Sequence, residues 1–364
     1  MTIGLEATRA NKKYKTGTEW YAWHLLQQFK KLDHENKFVV YYNNILADAL
    51  KETPANFVIK NLPWPFKKFW THMRLSLELI KNPVDKFFAS NAVPLLTKGE
   101  VIVTIHDLGF FRNPELYHPL ERIYQQISHK LAVKKAKKIV TVSEATKKDI
   151  KKYFPKYKGE IKVTHLGYNA DTFKILEKHE KMQFIDIHDL PDDFFLYIGR
   201  LETKKNVANL IKAYKKTNRK WPLVLGGRPG NFGYDEIERL ANDPEIKDDI
   251  IILGYVSQAN YPRLMASARA FVFPSKFEGF GIPLIEAMAC KVPILASDIP
   301  VFREVAVDSA LYFDPDNIDD IAQKMDKITT DEKLQETLAI KGLQRSRQFS
   351  WEKCARETLD FILK

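Results

Sequence analysis

The feature that most restricts the fold of this chain is the regular alternation of short β-branched or aromatic runs with longer amphipathic segments. Such alternation is typical of βα units, in which the strands lie parallel and helices cover the sheet. It predicts an α/β protein with seven strands in the first half and six in the second. The predicted strands are 2–7, 37–42, 56–60, 86–90, 101–106, 138–143, 161–165, 194–199, 222–227, 250–254, 270–274, 292–297 and 310–313.

Two series of strands in a chain of 364 residues predict two Rossmann-like domains. We place the N-terminal domain at 1–175 and the C-terminal domain at 191–348. Residues 176–190 have weak periodicity and mixed charge, which is typical of a linker. Residues 349–364 read as a helix, with Ser350 in the N-cap position.

Composition excludes several classes of protein. No run approaches the roughly 18 apolar residues that cross a bilayer, and the first residues lack the pattern of a secretion signal. We therefore expect a cytoplasmic protein. The two cysteines, Cys290 and Cys354, lie far apart and outside any Cys/His cluster, so neither a disulfide framework nor a zinc site is expected.

The charge is concentrated in the first half. Residues 1–180 hold 31 Lys and Arg against 18 Asp and Glu, whereas the whole chain has a net charge of +11. This asymmetry favours anionic partners such as phospholipid headgroups, lipid-phosphate acceptors or nucleic acid. The segment 64–80 interleaves aromatic, basic and aliphatic residues, and either lies on a membrane surface or packs its aromatic face on the first domain.

The stretch FEGFGIPLIEA places two acids around a glycine-rich turn at a predicted helix start. Gly279 and Gly281 permit close approach of a ligand to the backbone, and the N–H groups of the helix start attract phosphate oxygens. Glu278 and Glu286 are then placed to accept hydrogen bonds from hydroxyls on either side of the phosphates. A nucleotide sugar has this arrangement. The alternative is an ordinary helix entrance with acidic residues.

Two loops at predicted strand ends add candidate residues. In YIGRLETKKN, Gly199 is followed by Arg200 and Lys205, two cations that bracket a diphosphate or else stay solvated. In the first half, Gly17 lies in the first strand-to-helix loop and His106 ends a strand. Gly17 permits phosphate contact or forms a plain turn, and His106 holds a substrate hydroxyl or is structural.

Taken in order, these motifs resemble the retaining glycosyltransferases of family 4, which have the GT-B fold. The resemblance covers nearly the whole chain. The matching segments are the HDL strand end, VTVSEATKKDI, GRLETKKN, LGYVSQANYPRLMASARAFVFPS, the EGFG box with its E-x7-E spacing, and FSWEKCARETL.

The resemblance implies two domains that face each other across a cleft, with the last helix crossing back to the first domain. The donor would bind mainly to the second domain and the acceptor to the first. Catalytic roles would fall to four residues and donor contacts to nine others. The catalytic residues are His106, Arg200, Lys205 and Glu278, and the donor contacts are Gly17, Gly199, Tyr255, Val256, Gly279, Phe280, Gly281, Ile282 and Glu286.

Within that set, Glu278 contacts the transferred sugar and Glu286 holds the ribose. Arg200 and Lys205 stabilise the departing diphosphate, and His106 lies beside the reacting carbon. Two positions depart from the family pattern. Thr18 and Glu19 stand where some members carry a second glycine, which puts the phosphate contact at Gly17 in doubt, and Leu166 replaces a usual asparagine.

The expected activity is retaining, metal-independent transfer of a sugar from a donor of the GDP-mannose or UDP-glucose type. The acceptor is a glycan or a lipid-linked molecule, in surface polysaccharide or glycoconjugate synthesis, with peripheral contact to anionic membrane. No cofactor, metal or nucleic acid is expected. Asp314-Pro315-Asp316 mimics a DxD metal motif but precedes a helix and reads as capping.

Three alternatives stay open at this point. A catalytically silent GT-B protein would bind membrane or a partner through its basic first domain. An NAD-linked dehydrogenase is disfavoured because no GxGxxG motif is present. A glycosidase would use Glu278 and Glu286 as its carboxylate pair.

Overall fold

Short runs of β-branched and aromatic residues form the strands because parallel strands, covered by helices on both faces, need apolar side chains on both sides. The computed structural model describes residues 1–12, 15–43, 48–66, 69–230 and 232–364. Within them, all predicted strands are confirmed, with ends that differ by about two residues or less. The strands are β1 (Thr2–Glu6), β2 (Lys37–Tyr42), β3 (Phe57–Asn61), β4 (Lys86–Ala89), β5 (Glu100–Ile105), β6 (Lys138–Thr141), β7 (Glu160–Val163), β8 (Phe195–Ile198), β9 (Leu223–Gly226), β10 (Ile250–Gly254), β11 (Ala270–Phe273), β12 (Ile294–Ser297) and β13 (Ala310–Phe313).

Helices connect the strands throughout the described part of the chain. They are α1 (Gly17–Leu32), α2 (Asp48–Lys51), α3 (Leu75–Lys81), α4 (Gly109–Arg112), α5 (Pro119–Lys135), α6 (Glu144–Tyr153), α7 (Lys178–Ile187), α8 (Val207–Lys215), α9 (Tyr234–Ala241), α10 (Tyr261–Ser267), α11 (Ile282–Ala289), α12 (Pro300–Ala306), α13 (Ile318–Thr330), α14 (Glu332–Ser346) and α15 (Trp351–Leu363). A π-helical turn, Trp70–Arg74, precedes α3, and 3-10 turns occur at Pro114–Leu116, Thr203–Lys205 and Lys247–Asp249. None of these described helices is long and apolar enough to cross a membrane.

The strands form two separate parallel sheets. The first has the order β3-β2-β1-β4-β5-β6-β7 and the second the order β10-β9-β8-β11-β12-β13. In each sheet the order reverses once, between β1 and β4 in the first and between β8 and β11 in the second. Ligands of open parallel sheets bind at such a reversal, beyond the carboxyl ends of the strands.

Each sheet lies in its own compact unit. The first unit contains Met1–Arg112, Pro119–Gly167 and Ser350–Lys364, and the second contains Asn113–His118 and Tyr168–Phe349. The short segment Asn113–His118 was not predicted to belong with the second unit. The expected linker, 176–190, instead contains α7, which packs against α10 in the second unit and buries Phe184 and Ile185. Two buried apolar residues are enough to hold this short helix, although they produce little periodicity.

The last helix belongs to the first unit, as predicted. Ser350 caps α15 by accepting a hydrogen bond from the backbone N–H of Lys353 at 3.1 Å. Trp351 stacks on His24 of α1, with 4.5 Å between ring centroids. The ammonium of Lys86 donates to the carbonyl of Ile362 at 2.7 Å, which anchors the end of α15.

The segment 64–80, in which residues 67 and 68 lie outside the described residues, packs on the first unit, which is one of its two predicted alternatives. Trp70, Leu75 and Leu79 are buried against the first sheet. Met73 and Leu77, on the other side of the same turn and helix, are more than half exposed. The buried side chains hold the segment in place and leave an apolar outer face.

Candidate active site

The reversal point of the second sheet brings together the loops that follow β8 and β11. These loops carry the sequences GRLETKKN and PSKFEGFG, which hold the predicted cations and the predicted sugar-binding acid. Residues 73 positions apart in the sequence therefore meet at one sheet edge. This is the location at which a Rossmann-like unit binds its ligand.

The loop after β8 begins with a glycine that leaves room for a neighbouring side chain. A Cβ atom on Gly199 would lie 2.7 Å from the hydroxyl of Tyr197, and that hydroxyl donates to the carbonyl of Arg200 at 2.8 Å. The Arg200 guanidinium is 3.7 Å from Glu202 and its side chain is 52% exposed. Tyr197 thus fixes the backbone from which Arg200 extends into solvent.

The ion pair between Lys205 and Glu278 joins the two loops. The Lys205 ammonium donates to Glu278 Oε1, and the Ser275 hydroxyl donates to the same oxygen at 2.8 Å. Both ionic side chains are mostly buried, at 17% and 14% exposure. A charge-assisted hydrogen bond with little access to water fixes both groups in place.

The turn after Glu278 leads directly into α11. Gly281 caps this helix with φ of 100°, a conformation that favours glycine, and a Cβ atom there would lie 3.0 Å from the ring of Phe302. The Phe280 side chain is buried and meets the ring of Phe349 edge-on, so it does not offer its ring to a ligand. In the first turn of α11, Pro283 has no N–H, and the N–H of Leu284 donates to the carbonyl of Gly281 at 3.0 Å, so Ile282 provides the N–H that no helical carbonyl accepts.

Glu286 lies one turn further along α11, in a buried pocket. The Tyr261 hydroxyl donates to Glu286 Oε2, and Phe173 packs edge-on against the Tyr261 ring. Burial raises the pKa of Glu286 to about 7, although the hydrogen bond from Tyr261 opposes the shift. The carboxyl is therefore close to half-protonated at neutral pH when no ligand is bound.

The loops after β9 and β10 extend the same edge. The backbone N–H of Gly227 donates to the carbonyl of Gly254 at 2.7 Å, and that of Gly199 donates to the carbonyl of Gly226 at 2.9 Å. Tyr255 is half-exposed, with the Arg228 guanidinium 4.2 Å from its ring centroid. The methyl Cγ2 of Val256 would be 3.1 Å from a Cβ atom on Gly226, so Val256 packs on the strand.

His106 follows β5 in the first unit and makes a defined set of contacts there. Its Nε2–H donates to the carbonyl of Ser90 at 3.0 Å, and its ring meets Tyr21 edge-on at 4.7 Å. Loss of solvent around the ring lowers the pKa of His106 to about 4, so the ring is neutral at pH 7. A neutral ring that donates from Nε2 leaves Nδ1 as an acceptor.

The loop that leads into α1 at Gly17 is held by hydrogen bonds to the carboxylate of Glu19. Glu19 accepts hydrogen bonds from Arg9 at 2.7 Å, from Lys12 at 2.9 Å and from the hydroxyl of Thr16, with which it forms a capping box at the start of α1. Burial alone would raise the pKa of Glu19, but Thr16, Lys12 and Arg9 outweigh it and hold the pKa well below its usual range. Two cations of this loop are therefore already paired with a carboxylate.

Several residues of the site were not predicted from the sequence. Ser275 and Tyr261 hydrogen-bond the two glutamates, and Glu202 lies next to Arg200. The serine three residues before Glu278 is a local pattern that could have indicated its contact, whereas Tyr261 lies 25 residues from Glu286 and leaves no local pattern.

The motif at Asp314 is a turn and not a cap. Asp314 accepts a hydrogen bond from the backbone of Asp316 at 2.9 Å, and Asp316 pairs with Lys276. The cap of α13 is Asn317, whose side chain accepts from the backbone N–H groups of Asp319 and Asp320. The cap of α13 is therefore the residue that follows the predicted motif, Asn317.

Comparisons with known proteins identify the family. Residues 178–345 match the family Glycosyl transferases group 1, and residues 15–172 match Glycosyltransferase Family 4. The O-antigen chain mannosyltransferase B of Escherichia coli is 34% identical over 265 residues, which cover 71% of this chain and 69% of that protein. The O-antigen chain mannosyltransferase RfbU of Salmonella typhimurium is 31% identical over 291 residues, which cover 79% and 75%.

Solved structures agree on the fold. Sucrose-phosphate synthase from Thermosynechococcus elongatus has a TM-score of 0.79 at 17% identity and covers 99% of this chain and 98% of its own. WaaG, a glycosyltransferase involved in lipopolysaccharide biosynthesis, has a TM-score of 0.75 at 14% identity, with 100% and 99% covered. With two parallel α/β units, this fold is GT-B, and the chain belongs to the family 4 glycosyltransferases, the glycosyl transferases of group 1.

Proposed function

We propose that this glycosyltransferase moves a mannosyl group from GDP-mannose to a growing glycan of a surface polysaccharide, with retention at the anomeric carbon and without a metal ion. The two O-antigen mannosyltransferases that exceed 30% identity support the sugar and the class of product. UDP-glucose is the competing donor. The resemblance to retaining enzymes supports the stereochemistry.

The observation that carries the proposal is the contact of Lys205 with Glu278 at the sheet reversal. A largely buried cation in contact with a largely buried anion is well matched to a ligand that carries both a diphosphate and hydroxyls. When the diphosphate binds, the Lys205 ammonium turns to its oxygens. Glu278, still held by Ser275, then accepts hydrogen bonds from hydroxyls of the sugar.

The transfer step moves one group and one proton. The bond between the anomeric carbon and the β-phosphate oxygen breaks, and a bond to the acceptor oxygen forms on the same face of the sugar. The acceptor hydroxyl proton passes to the departing phosphate oxygen, so the products are the glycoside and GDP. Positive charge on the sugar and negative charge on the phosphate both rise in the transition state.

Arg200, Lys205 and the first turn of α11 stabilise the negative charge. An electrostatic contact of this kind contributes about 3 to 4 kcal/mol, which corresponds to a hundredfold or more in rate. These groups supply the charge stabilisation that a divalent metal supplies in other transferases. No step then needs a metal ion.

In the first unit, His106 is proposed to lie beside the reacting carbon as a neutral group. Its Nε2–H is committed to Ser90, so Nδ1 accepts a hydrogen bond from a sugar hydroxyl. For Gly17 we propose a backbone contact only, because Arg9 and Lys12 are held by Glu19.

The test is a transfer assay with purified protein, a synthetic lipid-tailed mannoside as acceptor, and GDP-mannose or UDP-glucose as donor. We expect GDP release and a product with the anomeric configuration of the donor, unchanged by EDTA. Thermal-shift measurements with GDP, UDP and ADP provide an independent readout of base preference, with GDP giving the largest shift.

Three results would contradict parts of the proposal. An inverted product refutes retention, and loss of turnover in EDTA refutes metal independence. A preference for UDP-glucose over GDP-mannose would show that the proposed donor is wrong. If GDP binds but the donor is neither transferred to this acceptor nor hydrolysed, the result would instead indicate the catalytically silent protein.

A further inference from the structure

Helix α1 carries a buried tyrosine that the transfer step proposed above does not use. Tyr21 is fully buried, and its ring meets the imidazole of His106 edge-on, with 4.7 Å between the centroids and 89° between the planes. Burial raises the pKa of Tyr21 well above its ordinary value, so its hydroxyl stays protonated. Tyr21 is therefore a neutral hydrogen-bonding group in direct contact with a candidate catalytic side chain.

The hydroxyl of Tyr21 joins helix α1 to two other elements of the first unit. It forms a hydrogen bond of 2.9 Å with the hydroxyl of Thr104 in β5, two residues before His106. It is also hydrogen-bonded to the hydroxyl of Thr358 in α15. Tyr21 thus links the strand that leads to His106 with the last helix of the chain.

Helix α15 holds this part of α1 at two points. The Thr358 hydroxyl donates to the carbonyl of Cys354 at 2.7 Å, which fixes the orientation of the Thr358 side chain. One turn beyond Tyr21, His24 stacks on Trp351, the first residue of α15. The Tyr21 side chain is therefore held by α15 both directly and through the helix that carries it.

The hydrogen bonds of His106 do not by themselves fix the plane of its ring. Its Nε2–H donates to the carbonyl of Ser90 at 3.0 Å, and the hydroxyl of Thr146 donates to the His106 backbone carbonyl at 3.2 Å. The Ser90 hydroxyl in turn donates to Glu6 at 3.5 Å. A single hydrogen bond at Nε2 fixes one ring atom, and the imidazole can still turn about it. The Tyr21 ring, packed against the imidazole, restricts that turn.

Charged groups around His106 oppose one another, so the loss of solvent decides its protonation. Burial is the largest cause and lowers the pKa of His106 to about 4. Asp107 and Glu19 act to raise this pKa, and Arg9 acts to lower it. An aromatic ring that keeps water from the imidazole, as Tyr21 does, therefore helps to keep His106 neutral.

We propose that Tyr21 is a positioning residue for the transfer reaction, whose ring fixes the imidazole of His106 and whose hydroxyl lets α15 hold that ring in place. The inference rests on the function proposed above for His106, and it gives the last helix a part in that function. The plane of the imidazole sets the direction in which Nδ1 accepts a hydrogen bond. A misplacement of about 1 Å at such a contact can cost about a hundredfold in rate.

The test compares Tyr21→Leu, which removes the ring and the hydroxyl, with Tyr21→Phe, which removes only the hydroxyl. In Tyr21→Leu, water reaches the imidazole, and the pKa of His106 should rise from about 4 towards the ordinary value near 6.5. In Tyr21→Phe the ring remains, so the pKa of His106 should stay close to that of the wild type. NMR titration of the full chain with isotope-labelled histidine measures this pKa, and His106→Gln assigns the signal among the nine histidines.

The same change should appear in kcat at saturating donor. A histidine with a pKa of about 6.5 is about 90% protonated at pH 5.5, and a protonated Nδ1 cannot accept a hydrogen bond. The ratio of kcat at pH 5.5 to kcat at pH 8 should therefore fall about tenfold in Tyr21→Leu relative to wild type. At pH 8, kcat should also fall about tenfold because the ring is no longer oriented, and Tyr21→Phe should restore most of both losses.

Tyr41→Leu is the matched control. Tyr41 is a buried tyrosine of the same unit, in β2, and its ring packs on Phe87. This variant should lose stability as Tyr21→Leu does, while the pKa of His106 and the pH dependence of kcat stay unchanged. Circular dichroism melts verify that each variant is folded, and titration calorimetry should give the same Kd for GDP in all of them.

A double-mutant cycle tests the part given to α15. Thr358→Val removes the hydroxyl of α15 that bonds Tyr21, and it should lower kcat about threefold, as should Tyr21→Phe. Because both substitutions break the same hydrogen bond, the double variant should lose no more than Tyr21→Phe alone. Additive losses would refute the link through α15.

Two results would overturn the position given to Tyr21. They are an unchanged pKa of His106 in Tyr21→Leu and an equal change of that pKa in Tyr41→Leu. The NMR titration needs neither donor nor acceptor, so it tests this contact independently of the reaction. Transfer by His106→Gln at the wild-type rate would instead refute the function proposed for His106, and with it the effect of Tyr21 on the reaction.

Discussion

Two glutamates eight residues apart experience different environments in this protein. Glu278 contacts the cation Lys205, while Glu286 is buried next to the neutral Tyr261. Burial favours the protonated form of Glu286 and raises its pKa. The two acids of one short motif are therefore suited to the different tasks that we propose for them, Glu278 at the reacting sugar and Glu286 at a ligand hydroxyl pair.

Donor affinity is expected to depend on pH through Glu286. Ribose hydroxyls donate hydrogen bonds, so they bind the carboxylate better than the acid, and the pKa near 7 places this change in the neutral range. Affinity for GDP-mannose should rise up to about tenfold from pH 6 to pH 8. Glu286→Gln should bind more weakly and show no such rise, as measured by titration calorimetry.

The stability of the ligand-free protein should change in the opposite direction. Because the folded pKa of Glu286 is raised, its contribution to stability is complete below the unfolded pKa and is lost as pH rises through about 7. Urea unfolding of the ligand-free protein at pH 6 and at pH 8 measures the change in its free energy of unfolding. Equal pH dependence of wild type and Glu286→Gln would contradict the role given to this carboxyl.

Lys205 is expected to act mainly in the transition state. Lys205→Ala should lower kcat by about a hundredfold or more, because the charge on the leaving diphosphate is then less well stabilised. Lys276→Ala is a matched control, since Lys276 lies in the loop of Glu278 but pairs with Asp316. Steady-state kinetics with GDP-mannose gives the comparison, and equal losses in both variants would show a general effect of charge.

At the scale of elements, α11 is the helix at whose start we propose that the donor phosphates bind. Its start depends on a turn at Gly281 that only glycine adopts without strain. The rest of the helix is held by buried residues from Leu284 to Ala289. This buried helix holds the N–H of Ile282 at a fixed place.

Gly281→Ala is expected to destabilise the protein more than Gly254→Ala. Both positions have positive φ, which costs an alanine about 1 kcal/mol, but only the Cβ at 281 meets a neighbour, the Phe302 ring at 3.0 Å. We expect a loss of about 2 to 3 kcal/mol at Gly281 and about 1 kcal/mol at Gly254. Urea unfolding measures both, and the reverse order would refute this account of the turn.

Elements are also the scale at which prediction from sequence succeeded best. The strands were located within about two residues because burial on both faces demands continuous apolar runs, which is a local property. Helix α7 was missed because it buries little, and its mixed charge resembles that of a linker. The turn Asn113–His118 was missed because its membership of the second unit depends on distant packing.

At the scale of the whole molecule, the chain forms two hydrophobic cores, and its last helix, α15, belongs to the first unit. Each sheet has its own buried strands, and α15 adds Trp351, Cys354 and Ala355 to the interior of the first unit. A chain of this length commonly divides into separate cores. The two units are therefore expected to unfold in separate transitions.

Matched tryptophan variants test that expectation. Trp351 in the first unit and Trp221 in the second are both buried, at 6% and 4% exposure, and truncation of each to alanine should cost about 3 to 5 kcal/mol in its own transition. GDP at 100 times its Kd should stabilise the second transition by about 2.7 kcal/mol. Differential scanning calorimetry should show two transitions, and each variant should lower the Tm of one of them. A single transition whose Tm both variants lower would contradict the expectation.

The sequence by itself determined the features that depend on neighbours along the chain. These are the strands, the helix start after EGFG, the cap at Ser350, and the motifs that indicate the family. Only the tertiary structure decided which side chains meet. It paired Lys205 with Glu278, placed Tyr261 on Glu286, and paired Arg9 and Lys12 with Glu19. The physical reason is that apolar periodicity and turn chemistry act over a few residues, whereas hydrogen bonds and charge pairs across a sheet edge depend on strand order.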